Sequence, residues 1–271
     1  MTVDTQDGEP RIKESIDRVG IEGIRSHLKI VREGMEFSHL PYIDVSIDLP
    51  ANKKGVHMSR LTETINEVIS KKTEGIKESL EEFGNEVLEE IQKKHPYRRG
   101  EITIKTTLIL DKITPVSHKK TTEPYDVTTK VIRDNGKALK FLEVKAIGNS
   151  LCPHILGVIG NKSHIQRVEL HLGIYTDLNA SISFEKMIDL CDGCFSAPTY
   201  SVLKTEDEKF VVEKMFSNPK FVEDITRECF DKVKKEGIKG EITIRAISYE
   251  SIHKHNVISE IKREINGGLN V

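Results

Sequence analysis

Between Ser38 and Pro50 the run Y-I-D-V-S-I-D-L alternates apolar with polar residues, Tyr42 apart, and predicts a half-buried strand that Pro50 ends. After the basic turn A-N-K-K-G-V-H-M-S-R the period changes. Ser59 is placed as an N-cap, and Leu61, Ile65, Val68 and Ile69 recur at helical spacing. Ile76, Leu80, Phe83, Val87 and Ile91 form the apolar stripe of a second helix. From Gly100 a strand sets Ile102, Ile104, Leu108 and Leu110 on one face. Residues 114–135, rich in Thr, Lys and Pro, predict a surface excursion, and Phe141–Ile147 a further strand. A strand opening at His164 gives that residue the parity of Val168, Leu170, Leu172 and Ile174, so His164 faces the buried side. No period decides residues 184–203. Asp207–Phe216 predicts a short helix. Asn218-Pro219 predicts the cap and first turn of a longer one, with Val222, Ile225, Cys229 and Val233 inward and Gly237 at its end.

The chain then repeats itself. K-K-x-x-x-R-R-G-E-I-T-I-K (Lys93 to Lys105) and K-K-E-G-I-K-G-E-I-T-I-R (Lys234 to Arg245) each run from a helix end into a strand. Two halves of like topology, strands then helices then strands, predict an α+β fold in which duplicated units share an antiparallel sheet. The division expected is a flexible N-terminus over 1–10, a first unit over 11–148 and a second over 149–271. Open strand edges of such half-sheets are most easily covered by other subunits, which predicts a barrel closed by association.

Composition narrows the function. The 271 residues suffice for a substantial core, Trp is absent, and a net charge of −2 arises from many charges of both signs. Such a chain has neither the basic field nor the stacking surface of a nucleic-acid binder. No apolar run approaches the roughly 20 residues of a membrane span, and the N-terminus lacks a signal-peptide core. A cytoplasmic protein with its four cysteines reduced is expected.

The densest chemistry lies between Asn149 and Arg167, where Cys152, His154, His164 and Arg167 surround a Gly157/Gly160 loop. Cys152 and His164 are too far apart for a zinc-finger knuckle, and no second C-x-x-C accompanies them. Two readings stand: an open metal site completed by a distant carboxylate, or a buried structural cysteine beside a hydrogen-bonded core histidine. Lys53, Lys54, His57, Ser59 and Arg60 sit where a turn enters a helix N-terminus, a place that favours anions, although lysines in a loop are often simply solvated. Cys191-Asp192-Gly193-Cys194 reads as structural, and Cys229, on an apolar stripe, as core.

Six ordered segments resemble the second, metal-dependent class of GTP cyclohydrolase (type IB) of bacterial folate and archaeal methanopterin synthesis. They are D-L-P-A-N-K-K-G-V-H-M-S-R-L (Asp48 to Leu61), S-L-C-P (Ser150 to Pro153), H-I-Q-R (His164 to Arg167), Y-S-V-L-K-T-E-D-E-K (Tyr200 to Lys209), N-P-K-F-V-E-D (Asn218 to Asp224) and E-S-I-H-K-H (Glu250 to His255). The resemblance implies the tunnelling fold with two units per chain, joined into homo-oligomers, dimers or tetramers. It implies GTP as substrate and one divalent metal per subunit, Fe²⁺ favoured with Zn²⁺ or Mn²⁺ as alternatives. By the same resemblance Cys152, His164, Glu208 and His253 fall on metal positions, His253 and His255 on proton transfer, and Glu223 on the guanine anchor. Lys53, Lys54, His57, Ser59, Arg60 and Arg167 fall on phosphate and substrate contacts. His154 stands where the family often has a second cysteine, and Ile165 where it has asparagine. The implied product is a 7,8-dihydroneopterin phosphate, the archaeal 2′,3′-cyclic phosphate favoured over the triphosphate of folate synthesis. The rival expectations are a tunnelling-fold nitrile reductase with a cysteine nucleophile and a non-catalytic purine-binding homologue.

Overall fold

Each strand that alternates in sequence does so because one of its faces is packed. In a computed structural model, which describes residues 5–32, 35–71 and 79–265, the chain forms two compact units, one of residues 1–106 and 128–141, the other of 107–127 and 142–271. In the first unit, β1 (Ile16–Arg25), the hairpin β2 (Leu28–Arg32) and β3 (Met35–His39), and β4 (Tyr42–Leu49) precede the helices α1 (Met58–Lys71) and α2 (Leu80–Lys94). The strand β5 (Arg99–Ile113) follows. β4 pairs antiparallel with β1 and β5, so Val45 lies opposite both Ile21 and Ile102. Ile43, Val45, Ile47, Ile102 and Ile104 are buried, as are Leu61, Ile65 and Val68 of α1 and Phe83, Val87 and Ile91 of α2. α2 begins with a capping box in which Ser79 and Glu82 each accept the other's backbone N–H. Ile76, placed by its spacing on this helix's stripe, lies outside the described residues.

The second unit carries β8 (Ile165–Asp177), β10 (Gly240–Tyr249) and β11 (Val257–Ile265), with Ile244 of β10 opposite Leu172 and Ile261. It also holds α3 (Pro153–Ile159), α4 (Phe184–Asp192), the short β9 (Ala197–Pro198), α5 (Thr205–Ser217) and α6 (Val222–Lys235). Met187, Ile188, Ile225, Cys229 and Val233 from the helices and Val168, Leu170, Leu172, Ile242 and Ile244 from the strands are buried. The long strands β6 (Lys120–Asp134) and β7 (Lys137–Leu151), like β5, are divided between the units, and the sequence boundary at 148/149 falls inside β7. The strand order is β1-β4-β5-β6-β7-β8-β10-β11, with β9 against β7.

Three sequence expectations change. Most of residues 114–135 is the strand β6, not an excursion: its inward positions are Thr121, Glu123, Tyr125, Val127, Thr129 and Val131, and the polar members hide the alternation. α6 starts at Val222 rather than at Pro219, because Asn218 is spent as the C-cap of α5 and its amide donates to the Phe195 carbonyl at 3.1 Å and that of Ser196 at 3.2 Å. The undecided 184–203 stretch contains α4, capped by Ser183, and β9. The repeat has a structural counterpart: α2 leads into β5 and α6 into β10, with Gly-Glu-Ile-Thr-Ile starting at the second residue of β5 and the first of β10. Gly240 needs its residue type twice over, since its φ is +130° and a Cβ there would collide with the Tyr175 carbonyl oxygen. No helix among the described residues is long and apolar enough to cross a membrane.

Candidate active site

β7 ends at Leu151, and Cys152 then caps α3, whose Pro153 occupies the first turn where a missing N–H costs nothing. Leu156 N–H donates to the Cys152 carbonyl at 3.3 Å, and Gly160, with φ +89°, turns the chain back. The return brings Cys152 N–H to 3.2 Å from the His164 carbonyl, while Ser163 Oγ donates to the Cys152 carbonyl at 2.7 Å. The main chains of Cys152 and His164 therefore meet at the mouth of one loop. A small apolar cluster of Leu151, Ala197, Val211 and Met215, with Leu156, Ile165, Leu203 and Phe216 against it, anchors this loop and α5.

His164 has the parity of Gln166, Val168 and Leu170, all buried, as the sequence predicts, and its own side chain is 14% exposed. Its Nδ1 lies 2.9 Å from Gln166 Oε1 and 3.9 Å from Glu250 Oε2. Two acceptors facing Nδ1 favour the tautomer with the proton there, which leaves the Nε2 lone pair for a ligand. Glu250 is held in turn by Ser248 Oγ, 2.7 Å from its other oxygen. Sequence reasoning missed Glu250 as a site residue. The signal was available only through register: Arg167 pairs with Tyr249, which sets the next residue beside the start of β8.

The remaining predicted residues lie on surface elements. His253 and His255 belong to a bent segment after Tyr249, not to a continuing strand, and their exposed rings stack at 5.2 Å. Glu208 is exposed in the first turn of α5 and Glu223 in the first turn of α6; Arg167 is exposed on β8, and His154 on α3. Among the described residues no three His, Cys, Asp or Glu side chains gather as a cation site. The main chain links Cys152 to His164. A thiol and an imidazole are donor types that suit a divalent transition metal.

The residue next to Glu208 is the structural one. Asp207 is buried and accepts from Val116 N, Ser117 N, Ser117 Oγ and Lys204 N at 2.6 to 3.0 Å. Burial alone would raise its pKa, but these hydrogen bonds outweigh it and hold the carboxyl well below the usual range. Cys191, Cys194 and Cys229 are buried free thiols. Hydrogen bonding among them and burial push Cys194 and Cys229 far above the ordinary thiol range, so they are inert core groups, as read from sequence.

In the first unit, Lys54 N donates to the Gln6 and Gly8 carbonyls and Gly55 N to that of Gln6, so residues 5–8 are tied to the basic turn. Lys53 Nζ lies 3.4 Å from Asp7 Oδ1, and His57 Nε2 lies 4.0 Å from Asp7 Oδ2. α1 begins at Met58, with Arg60 N donating to the His57 carbonyl, so Ser59 sits inside the first turn instead of capping it. The His57 ring is 5.3 Å from that of His95, a residue the sequence reading passed over. A cavity of about 520 Å³ in this unit, walled by Pro50, Pro96, Tyr97 and Arg133, shares none of the predicted site residues.

Residues 2–259 match the family model described as type I GTP cyclohydrolase folE2. The chain belongs to that family. It is 48% identical over 265 residues to the GTP cyclohydrolase MptA of Thermococcus kodakarensis, covering 96% of this chain and 99% of that one. It is 31% identical to the GTP cyclohydrolase FolE2 of Azoarcus sp., covering 96% and 94%. Among solved structures it resembles uricase from Arthrobacter globiformis, with a TM-score of 0.57 at 10% identity over 93% of this chain and 94% of that one. That likeness places this GTP cyclohydrolase family member in the tunnelling fold, and family membership makes it an enzyme of pterin synthesis.

Proposed function

We propose that this GTP cyclohydrolase hydrolyses the guanine imidazole ring at C8, releases C8 as formate, and, with net consumption of one water and loss of diphosphate as a ribose-derived hydroxyl displaces it at the α-phosphorus, yields 7,8-dihydroneopterin 2′,3′-cyclic phosphate. The observation that carries the site assignment is the apposition of Cys152 with a His164 whose Nδ1 is already engaged. Relatives named MptA include a group at 45–48% identity, while others of that name stand at 28–31%, level with the FolE2 relative at 31%; the first group supports the cyclic-phosphate product.

Cys152 Sγ and His164 Nε2 would hold one divalent cation, Fe²⁺ favoured over Zn²⁺ and Mn²⁺, with Glu208 and His253 completing its shell. Such a cation lowers the pKa of water toward ~7, which supplies a nucleophile at neutral pH. His253 and His255 move protons as the ring opens and formate leaves, a role their solvent access suits. Glu223 accepts from guanine N1–H and the 2-amino group, a pair of donors adenine does not offer. Lys53, Lys54, His57, Ser59, Arg60 and Arg167 hold the phosphates.

A homo-oligomer, dimer or tetramer, is part of this reading: β1 and β11 end the strand order, and exposed Ile16 and Ile258 lie on them. Free cysteines throughout agree with a cytoplasmic setting. Anaerobic assay of GTP with Fe²⁺, reading formate and the product mass, is the test. Formate together with a cyclic monophosphate is expected. A linear triphosphate would overturn the branch, and no formate with any divalent metal would overturn the activity.

A further inference from the structure

The turn into α1 gathers cations around an imidazole whose Nε2 is buried without a partner among the described residues. His95 is the C-cap of α2, its N–H donating to the Ile91 carbonyl at 2.7 Å, and Pro96 stops the helix behind it. Its residue exposure is 8%, and its Nε2 has no hydrogen-bond partner in the protein. The ring stands 5.3 Å from that of His57, tilted by 32°. Buried polar atoms are nearly always paired, so an orphaned one marks a contact that the protein alone does not complete.

The surroundings define the missing partner. Burial lowers the pKa of His95, the charges of Arg60, His57 and Lys53 lower it further, and only Asp7 opposes them. These are the charged groups that face it, from α1, from the turn before α1 and from the N-terminal segment. A cation or metal ion would be repelled. A neutral acceptor would pair with the ring and leave the positive cluster as it is. An oxyanion does both: it accepts from the ring, and it offsets Arg60 and Lys53 at the positive end of the α1 dipole. A carboxylate already occupies part of this place, since Asp7 accepts from Lys53 Nζ at 3.4 Å and sits 4.0 Å from His57 Nε2.

We propose that His95 is a further ligand-binding residue, whose Nε2–H completes an oligophosphate site with Lys53, His57 and Arg60 by donating to a phosphoryl oxygen that displaces the Asp7 carboxylate. This rests on the reading of the basic turn as the seat of the substrate's phosphates and adds a group to it. Once the anion offsets the neighbouring cations the ring takes up a proton, so binding strengthens as pH falls through the imidazole range.

Inorganic tripolyphosphate and guanosine, titrated separately by calorimetry at several pH values into wild type, His95→Leu and His95→Gln, test this. His95→Leu should weaken tripolyphosphate binding on the order of 10-fold or more and leave guanosine binding unchanged. His95→Gln keeps a donor but cannot take up the proton. It should bind tripolyphosphate with intermediate affinity and lose the pH dependence that wild type shows beyond the titration of the ligand itself. Wild-type affinity in His95→Leu overturns the proposal, as does a wild-type protein that ignores tripolyphosphate. If His95→Leu does not fold, His95→Gln with unchanged affinity and pH dependence overturns it. The two readings fail separately: formate release from GTP with an unaltered KM in His95→Leu sinks this inference alone, whereas His95-dependent tripolyphosphate binding without GTP hydrolysis sinks only the activity.

Discussion

The backbone N–H of Cys152 donates to the carbonyl of His164 at 3.2 Å, so the residue that caps α3 and the residue that opens β8 are joined by their main chains. That link uses neither side chain. Glu208 and His253, in contrast, stand on exposed positions.

Cys152→Ala should therefore remain folded and lose its metal. The Cys152 side chain makes no cap hydrogen bond, and shortening a small buried side chain costs under about 2 kcal/mol. Metal analysis of anaerobically purified protein, formate release and thermal melting check this together. A fully active variant would show that the sulfur is only packing.

Glu250→Gln should lower metal affinity about 10- to 100-fold, as loss of an outer-shell carboxylate behind a ligating histidine does. The charge 3.9 Å from His164 Nδ1 disappears, while the amide oxygen can still accept from Ser248 Oγ. Competition with a chelator of known affinity reads the change, and an affinity equal to wild type would remove Glu250 from the site.

Much of this was legible in the chain. The strands with apolar inward faces, the amphipathic helices and the buried parity of His164 follow from period alone. β6 did not, because the polar Thr121, Glu123 and Thr129 fill inward positions; Thr121 Oγ1 donates to Glu123 at 2.8 Å, while Thr129 Oγ1 is buried without a partner among the described residues. Glu250 and His95 were illegible for a different reason. Each matters through a partner distant in sequence, His164 for one and the 53–60 turn for the other, and no local pattern encodes that adjacency. Asp207, hidden beside the more conspicuous Glu208, is the same case, since its partners Val116 and Ser117 lie in a turn far up the chain.

Asp207→Asn should destabilise the protein in a pH-dependent way. The folded carboxyl titrates well below its ordinary range, so its contribution is complete above the unfolded value near ~3.9 and is lost as pH falls through the lower folded value. The gap in melting temperature between wild type and variant should be constant above about pH 5 and shrink below about pH 4. A gap that does not change with pH would mean that shape, not charge, holds the Val116–Ser117 turn.

Gly148→Ala should be strongly damaging. A Cβ on Gly148 would lie inside the Phe195 ring, which is 2% exposed. The backbone that carries the ring is held on both sides: Ser196 N donates to the Asn149 carbonyl at 2.9 Å, Asn218 donates to the Phe195 carbonyl, and Gly148 pairs with Pro198 across β7 and β9. Overpacking of this kind costs about 3 kcal/mol, which for a protein of this size lowers the melting temperature by roughly 6–12 °C. If the ring is the cause, Phe195→Leu, itself destabilising by loss of the ring, should cost less in the Gly148→Ala background than in wild type, a favourable coupling readable in a double-mutant cycle. Strict additivity would place the damage in the strand backbone instead. Because Cys152 follows at the end of the same β7 segment, metal affinity measured on the rescued double variant also tells whether this close glycine–ring contact sets the position of the thiol or only the stability of the strand that carries it.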